Sequence, residues 1–276
     1  LGTIGQMYNN GDGGWSSIVP TQNLVDTYEM ADGLTKEESG SYDPNHPFAG
    51  RDPRMAMTII YPGMDWNGTV VNTLDKTING KDNANYPPSA NNASKTALTW
   101  RKYLDEQYAN GIWNTNACPI VIRYAEVLLT YAEAVNELSG PSADVYDKLD
   151  LIRGRVGMPK VDREKYASKE TLRRLIRRER GVELAGEGVR RADILRWKDD
   201  NGKMVAETVL NGVLERVVGT VNYAETDPTK RAEIDTNAPA TDKKIEDRVF
   251  KVHNRYNPIP QGAIDNNPNL EQNPGY

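Results

Sequence analysis

The chain contains 276 residues with a formal net charge of −5 at pH 7; 38% of the residues are hydrophobic and 26% are charged. A chain of this length buries a full-sized core in one or two domains, the negative charge argues against a nucleic-acid-binding protein, and no apolar run approaches the ~20 residues of a membrane-spanning helix. The single cysteine, Cys118, excludes an internal disulfide, and two histidines, His46 and His253, are too few for a zinc-type cluster.

Residues 1–118 predict a loop-rich region on the ligand side of the molecule. Gly, Pro, Asn and Asp break this region into short pieces. We predict one short helix in it, from Thr21 to Tyr28. The apolar runs Met55–Tyr61 and Ala97–Leu104 predict two strands.

Residues 119–200 predict a scaffold of consecutive helices. The first helix carries an apolar stripe with the i, i+3, i+4, i+7 spacing of one helix face. The residues of this stripe are Tyr124, Val127, Leu128, Tyr131, Val135 and Leu138. Ser142 is a good N-cap for a second helix, which stops at Gly157, and Ser168 caps a third. A fourth helix is predicted at 189–198.

The third predicted helix carries a run of arginines that permits two interpretations. Its members are Arg173, Arg174, Arg177, Arg178 and Arg180. Such a run suits an anion or an RNA, but Glu179, Glu183 and Glu187 are interleaved at helical spacing. We therefore expect ion-paired side chains on a packed scaffold. We assign Trp197, which follows this run, to the core.

Residues 201–276 predict C-terminal loops and a terminal strap. A short strand is predicted at Val249–His253. The last twenty residues, 257–276, contain five Asn and four Pro, so we expect neither a helix nor a central strand there. Apolar residues nevertheless recur in this stretch, which favours a strap laid over a folded body; a frayed terminus is the alternative.

The aromatic residues are mostly Tyr and Trp, with 14 Tyr and 5 Trp against 2 Phe. Rings with a polar tip suit half-buried positions, and flat ring faces beside amide groups suit the C–H face and the hydroxyls of a sugar. Rings on Gly- or Asn-rich loops have little neighbouring bulk to bury them. We therefore predict five ligand-binding residues: Tyr8, Trp15, Trp66, Tyr86 and Trp113. For each of them, a core or loop-anchoring role is the alternative.

Several long segments carry a family resemblance. They are PIVIRYAEVLLTYAEAVNEL at 119–138, RRERGVELAGEGVRRADILRW at 177–197 and RYNPIPQGAIDNNPNLEQNPGY at 255–276, with PTQNLVDTYEMADG at 20–33 and GRDPRM at 50–55 in the same order. Together they closely resemble the C-terminal half of the SusD/RagB family. The resemblance implies a mostly α fold, a SusD-like α/α superhelix of tetratricopeptide-like hairpins with long irregular loops and a few short strands.

The resemblance also implies a function in polysaccharide utilisation by Bacteroidetes-type bacteria. It implies non-catalytic binding of an oligo- or polysaccharide at the cell surface, and delivery of this glycan to a SusC-like TonB-dependent transporter. Family members are outer-membrane lipoproteins anchored through an N-terminal cysteine. Because Cys118 lies mid-chain, we expect that anchoring cysteine outside this chain, and we expect the three regions to form one compact domain covering about half of a typical member.

The run at 177–197 departs from the family pattern at four positions. Gly181 and Gly186 stand where larger residues are expected, and Arg191 and Ala192 where an aromatic is common. These departures put local packing in doubt.

Two other functions remain open from the residues alone. The helical hairpins also suit a helical-repeat module that grips a peptide. Glycoside hydrolysis needs two carboxylates ~5–10 Å apart, and no local signature singles out such a pair, so we expect no enzyme activity and no cofactor. Asp12 and the acidic stretch 227–247 offer calcium ligands without EF-hand spacing, so we assign no metal.

Overall fold

The computed structural model describes residues 2–88, 91–109 and 111–276, which form two compact units. The first unit contains the residues up to Gly188 together with Glu215–Ile245. The second contains Val189–Leu214 and Glu246–Tyr276. Each unit is therefore built from two separate stretches of sequence. The boundaries of the units differ from those of the three regions expected from the composition.

The fold is mostly helical, as expected. The α-helices of the described residues are α1 (Gly2–Gly5), α2 (Gln22–Thr27), α3 (Pro53–Thr58), α4 (Tyr124–Ser139), α5 (Ala143–Gly154), α6 (Lys169–Glu183), α7 (Arg190–Arg196), α8 (Val205–Val209), α9 (Ala240–Lys243) and α10 (Gln261–Asn266). Short 3₁₀ helices cover Asn10–Asp12, Glu106–Tyr108, Ile112–Asn114 and Val252–Arg255.

The strands are short and serve as links between loops. They are β1 (Ile59–Ile60), β2 (Asp65–Trp66), β3 (Thr69–Val70), β4 (Thr77–Ile78), β5 (Lys81–Asp82), β6 (Thr99–Trp100), β7 (Gly212–Glu215), β8 (Gly219–Val221), β9 (Ala232–Ile234) and β10 (Lys244–Arg248). Within the first unit, β1 pairs with β6, β2 with β3, β4 with β5 and β8 with β9, all antiparallel.

Helices α4, α5 and α6 form the scaffold, and α4 packs against both of the others. Gly140 ends α4 with a φ of 80°, which side-chain-bearing residues rarely adopt. Ser142 caps α5, because its hydroxyl accepts a hydrogen bond from the Val145 amide at 3.4 Å. Ser168 and Thr171 form a reciprocal capping box at the start of α6. The predicted helical hairpin and its caps are confirmed.

The buried face of α4 is not the one that its apolar stripe predicts. Tyr124, Val127, Tyr131 and Leu138 of the stripe are exposed. The residues that α4 buries are Leu128, Leu129, Ala132, Glu133 and Asn136. Polar groups on this face have partners on α6, since the Asn136 carboxamide donates to the Lys169 carbonyl at 3.0 Å. The orientation prediction is wrong because α4 is apolar on two faces.

The two strands predicted in the loop-rich region are mostly wrong. Met55–Thr58 lies in α3, because the Asp52 carboxylate accepts from the Arg54 amide and Pro53 occupies the first turn, a helix-start signal that the apolar run concealed. Only Ile59 and Ile60 continue as a strand, paired with Trp100 and Thr99 of the second predicted run. The short helix predicted near Thr21 is confirmed as α2.

The core of the first unit lies mainly under the loops. Its largest fully buried side chains include Tyr8, Tyr28, Phe48, Ile59 and Leu98. Phe48 also stacks on Tyr61 with ring centroids 4.6 Å apart. The loops therefore have a packed floor, which fixes the residues that they carry.

The second unit has a small core. Ile194, Met204 and Ala206 are buried there, and Trp197 is buried as predicted. No strand forms at Val249–His253, where the structure has the 3₁₀ helix Val252–Arg255. That strand prediction is wrong.

The terminal stretch 257–276 contains α10, which contradicts the expectation that no helix forms in it. The two ends of the stretch 257–276 are hydrogen-bonded to each other. The Gln272 carboxamide accepts from the Ile259 amide at 2.8 Å and donates to the Ile259 carbonyl at 2.9 Å. The Tyr276 hydroxyl donates to the Tyr256 carbonyl at 2.8 Å. These contacts favour an ordered segment over a frayed terminus.

Candidate functional site

The five predicted ligand residues lie in the loop-rich part of the first unit, with Trp66 on β2 and Trp113 in the 3₁₀ helix Ile112–Asn114. Hydrogen bonds join several of these loops. The loop at residues 8–16 closes on itself, since the Ser16 amide donates to the Tyr8 carbonyl at 3.0 Å. Gly14 lies so close to the Tyr8 backbone that an added Cβ would be 2.2 Å from its carbonyl oxygen, which requires glycine here. A second loop is attached to the first, because the Gly11 amide donates to Asn85 Oδ1 at 2.9 Å.

Tyr8 is fully buried, with 0% of its surface exposed. Its hydroxyl donates to the Asp105 carbonyl at 2.9 Å and accepts from the Asp105 amide at 3.0 Å. The prediction that this ring is open to ligand is wrong. Tyr8 instead ties the loop that begins at Asp105 to the floor of the site.

Trp66 is also buried, at 3% exposure, so its ring face is not open either. Its indole Nε1 donates to Asp12 Oδ2 at 2.8 Å, and the Asn67 carboxamide donates to Asp12 Oδ1 at 3.2 Å. Burial raises the pKa of Asp12, and these hydrogen bonds oppose that rise. Asp12 therefore joins the first loop to β2, rather than standing in solvent as a cation ligand.

Trp15 and Trp113, named here the tryptophan pair, are exposed as predicted, at 49% and 48%. Their ring centroids are 5.7 Å apart and the ring planes meet at 74°. Trp113 lies over Gly5, where an added Cβ would be 2.9 Å from the ring. Glycine at this position lets the indole rest on α1, while both tryptophan side chains remain exposed.

Tyr86 is half-buried and belongs to the loop that Asn85 holds. Its amide donates to the Asn83 carbonyl at 3.1 Å. The Asn83 carboxamide in turn donates to the carbonyls of Asn72 and Asp75, which fixes this turn. Tyr86, Trp15 and Trp113 remain predicted ligand residues, while Tyr8 and Trp66 support the loops from beneath.

Beside these loops lies a network of buried ion pairs that the sequence did not predict as a unit. Arg54 Nη1 lies 2.5 Å from Glu179 Oε1 and 3.0 Å from Glu183 Oε2. Arg153 contacts Glu179 Oε2 at 2.9 Å and Glu29 Oε2 at 2.8 Å.

The expectation that the charged side chains of α6 are ion-paired is confirmed, but their partners lie on other elements. Arg173 contacts Glu137 of α4, and Arg178 contacts Glu29.

Three of the sequence segments that carried the family resemblance meet in this network. Arg54 belongs to GRDPRM, Glu29 to the segment at 20–33, and Glu179 and Glu183 to the run at 177–197. The spacing of residues within each segment did not show that these segments contact one another. Gly186 of the same run has a φ of +77°, so its departure from the family pattern satisfies a backbone requirement.

Nothing in the described part of the chain resembles a metal centre. No group of three or more His, Cys, Asp and Glu side chains is placed to hold a metal ion among the described residues. The candidate site therefore consists of aromatic faces, amides and backbone groups. Such a set can stack on and hydrogen-bond an uncharged, hydroxyl-rich ligand.

The model of the SusD family matches residues 2–276 of this chain. A SusD-like protein of Formosa agariphila is 34% identical over 154 residues, which is 52% of this chain and 29% of that protein.

Solved structures agree with the family match. A SusD-like carbohydrate-binding protein of Bacteroides fragilis is 31% identical and has a TM-score of 0.75 over 98% of this chain. Another SusD-like protein of Bacteroides fragilis, 24% identical with a TM-score of 0.71, supports the fold alone. This chain covers 51% of each, so it spans about half the length of these relatives.

Proposed function

Because the chain belongs to the SusD family, we propose that it binds an oligo- or polysaccharide at the cell surface without cleaving it, and that it delivers this glycan to a SusC-like TonB-dependent transporter. The observation that carries sugar binding is the tryptophan pair, whose open faces lie on a fixed floor. A solved relative that is a carbohydrate-binding protein supports the same ligand class here.

The geometry of the tryptophan pair supports stacking on successive sugar units rather than on one. Two rings whose planes meet at 74° cannot both lie flat against a single pyranose. Each stacking contact is worth on the order of 1 kcal/mol, so two or three contacts give affinities of about millimolar or weaker for a short sugar. Repeated units of a polymer then raise the avidity.

Surface attachment and transporter docking are parts of the same proposal. Across the described ranges, no helix is both long enough and apolar enough to cross a membrane. We infer that a lipid anchor attaches the protein to the cell surface, as the family membership suggests. Co-purification with the transporter encoded beside the gene tests the docking, and recovery of the protein without any transporter contradicts it.

Substitution of the tryptophan pair tests sugar binding. In titrations of a glycan panel, Trp15→Ala and Trp113→Ala should each weaken binding by about three- to tenfold, since each removes one stacking face. Tyr256→Ala removes a similarly exposed ring from the second unit and should leave binding unchanged. If glycan binding is unchanged in both tryptophan variants, the sugar-binding site does not include Trp15 and Trp113.

A reducing-sugar assay on the bound glycans tests the absence of cleavage. Constant reducing ends over prolonged incubation are expected. A steady increase in reducing ends would show that the protein hydrolyses the glycan.

A further inference from the structure

Tyr223 is an exposed aromatic residue of the first unit that the sequence did not single out. It lies in the turn between β8 and β9, and 54% of its surface is exposed. The Asn72 carboxamide donates to its hydroxyl at 2.9 Å. This bond fixes the far end of an otherwise exposed side chain, so the rotamer freedom that a binding partner would have to remove is already lost.

Asn72 can act only as the donor in this contact. It is buried, and its Oδ1 accepts from the amides of Leu74 and Asp75 at 3.1 and 3.0 Å. A rotated carboxamide would point its NH₂ group at these two amides and its oxygen at the Asp75 carboxylate, and both encounters are repulsive. The second Nδ2 hydrogen is used by Asp75 Oδ2 at 2.6 Å. The Tyr223 hydroxyl therefore accepts from Asn72 and keeps its own hydrogen for a different acceptor.

Two hydrogen-bonding groups of this cluster are open. In the part of the chain that the structure describes, no group accepts the hydrogen of the Tyr223 hydroxyl. Asp75 Oδ2 accepts from Asn72 and from the Val221 amide at 3.2 Å, whereas none of the described residues donates to Oδ1 or forms an ion pair with Asp75. The two hydrogens of a carboxamide diverge by about 120°, so the Tyr223 oxygen and the Asp75 carboxylate lie roughly 5 Å apart. A donor and an acceptor at this spacing can serve two hydroxyl groups of one sugar ring.

The cluster belongs to the same hydrogen-bonded loops as the predicted ligand residue Tyr86. The Asn72 carbonyl accepts from the Asn83 carboxamide at 2.9 Å, and the Asn83 carbonyl accepts from the Tyr86 amide at 3.1 Å. Asn83 Oδ1 also accepts from the Asn85 amide at 2.9 Å. Tyr223 and Tyr86 are therefore carried by loops that meet at Asn72 and Asn83.

The loop between β8 and β9 is fixed by contacts other than the Tyr223 hydroxyl. Arg231 contacts the Asp65 carboxylate at 2.6 Å and donates to the Gly63 carbonyl at 3.2 Å. A Cβ added at Gly63 would lie 2.8 Å from Arg231 Cβ, so the two loops are in close contact. The Tyr223 hydroxyl is therefore not needed to hold this loop in place.

We propose that Tyr223 and Asp75 form a second contact point for the glycan, at which the Tyr223 hydroxyl donates to a sugar oxygen and Asp75 Oδ1 accepts from a sugar hydroxyl. This inference rests on the proposed function, because it takes the ligand to be a glycan, and it also specifies the class of glycan. Since no ion pair within the described residues neutralises Asp75, its carboxylate repels a carboxylate or sulfate group of the ligand. The contact point selects neutral sugars over acidic ones.

Tyr223→Phe tests the hydroxyl with the ring left in place. In titrations of neutral hexasaccharides built from glucose, mannose or galactose, this change should weaken binding about three- to tenfold, which is the effect of one hydrogen bond. Tyr124→Phe removes the hydroxyl of an exposed tyrosine on α4 and should leave binding unchanged. Unchanged binding by the Tyr223→Phe variant would overturn the proposal.

Asp75→Asn tests the selection of neutral over acidic sugars. The probes are the hexasaccharide that wild type binds most tightly and the same compound with its primary hydroxyl groups oxidised to carboxylates. Wild type should prefer the neutral form, and Asp75→Asn should reduce this preference by about threefold or more, because Asn keeps one acceptor oxygen and removes the charge. Glu164→Gln, which removes an exposed carboxylate between α5 and α6, should leave the preference unchanged. An equal preference in wild type and Asp75→Asn would contradict the role assigned to Asp75.

The same titrations distinguish a failure of this inference from a failure of the proposed function. Absence of binding to every hexasaccharide would overturn both. Binding that weakens in Trp15→Ala and Trp113→Ala but is unchanged in Tyr223→Phe would overturn the second contact point alone.

Discussion

At the residue scale, burial divides the five aromatic residues on the loops into two roles. Tyr8 and Trp66 each have one polar atom, and both atoms are satisfied inside the protein, by Asp105 and Asp12. A buried hydroxyl or indole nitrogen without such a partner is costly. The two rings can therefore serve as floor residues, whereas Trp15 and Trp113 expose faces to solvent.

The buried carboxylate of Asp12 should make stability fall as pH rises. Burial raises the pKa of Asp12 above its ordinary value of 3.8, so the folded protein binds a proton more tightly than the unfolded chain. The favourable contribution of the neutral acid is present below pH 3.8 and is lost as pH rises through the folded pKa. The unfolding free energy of wild type minus that of Asp12→Asn should therefore decrease with pH in urea titrations.

Asp43 provides a control of opposite sign. The hydrogen bond with His46 lowers the pKa of this carboxylate below 3.8, and the group is largely exposed. Its stabilising effect is present above pH 3.8 and is lost as pH falls through the folded pKa. The difference between wild type and Asp43→Asn should increase with pH. An Asp12 difference that also increases would contradict the buried position of this side chain.

At the element scale, ion pairs hold α3 against α6. Arg54 comes from the first turn of α3, and its guanidinium contacts the Asp52 carboxylate at 2.6 Å as well as the two glutamates of α6. All four side chains are nearly inaccessible to solvent. Removal of Arg54 takes the guanidinium away from the buried Asp52 carboxylate, whereas Glu179 keeps its contact with Arg153. A buried carboxylate that loses its counter-charge is strongly destabilising.

Arg54→Ala should therefore destabilise the protein by about 3–5 kcal/mol, the cost of breaking a buried ion pair. Arg163→Ala removes an exposed arginine that contacts Asp147 at 3.0 Å and lies over the Tyr146 ring. That change should cost no more than about 1.5 kcal/mol. Urea unfolding of both variants makes the comparison, and equal losses would show that the network at α3 adds nothing beyond a surface pair.

At the scale of the whole molecule, the two units differ in how much apolar surface they bury. The first unit contains the large core under the loops, while the second has a small core around Ile194, Met204 and Ala206. Regions with few buried apolar contacts open more readily than regions with many. The stability of this protein is thus unevenly distributed.

Native-state hydrogen exchange should show this difference. Amides in the middle of α4 and α6 should exchange at least ~10-fold more slowly than amides of α10, whose residues are mostly exposed. The expected difference follows from the burial of each helix within its own unit. Equal protection of α10 and α6 would contradict the small core assigned to the second unit.

The amino-acid sequence by itself determined the helical scaffold and the family. Helix caps act within a few residues, as do the turn residues between hairpins. They can therefore be recognised in the amino-acid sequence, as Ser142 and Ser168 were. The ordered segments that resemble the SusD/RagB family were equally local. The exposed tryptophan pair was also among the predicted residues, because bulky rings on Gly- and Asn-rich loops lack neighbouring bulk.

Only the tertiary structure decided which faces are buried. α4 is apolar on two sides, so periodicity cannot say which side meets α5 and α6. Tyr8 and Trp66 are buried by loops distant in sequence, and Arg54 meets Glu179 across 125 positions. Burial and ion pairing depend on partners that the fold brings together, and no local pattern encodes those partners.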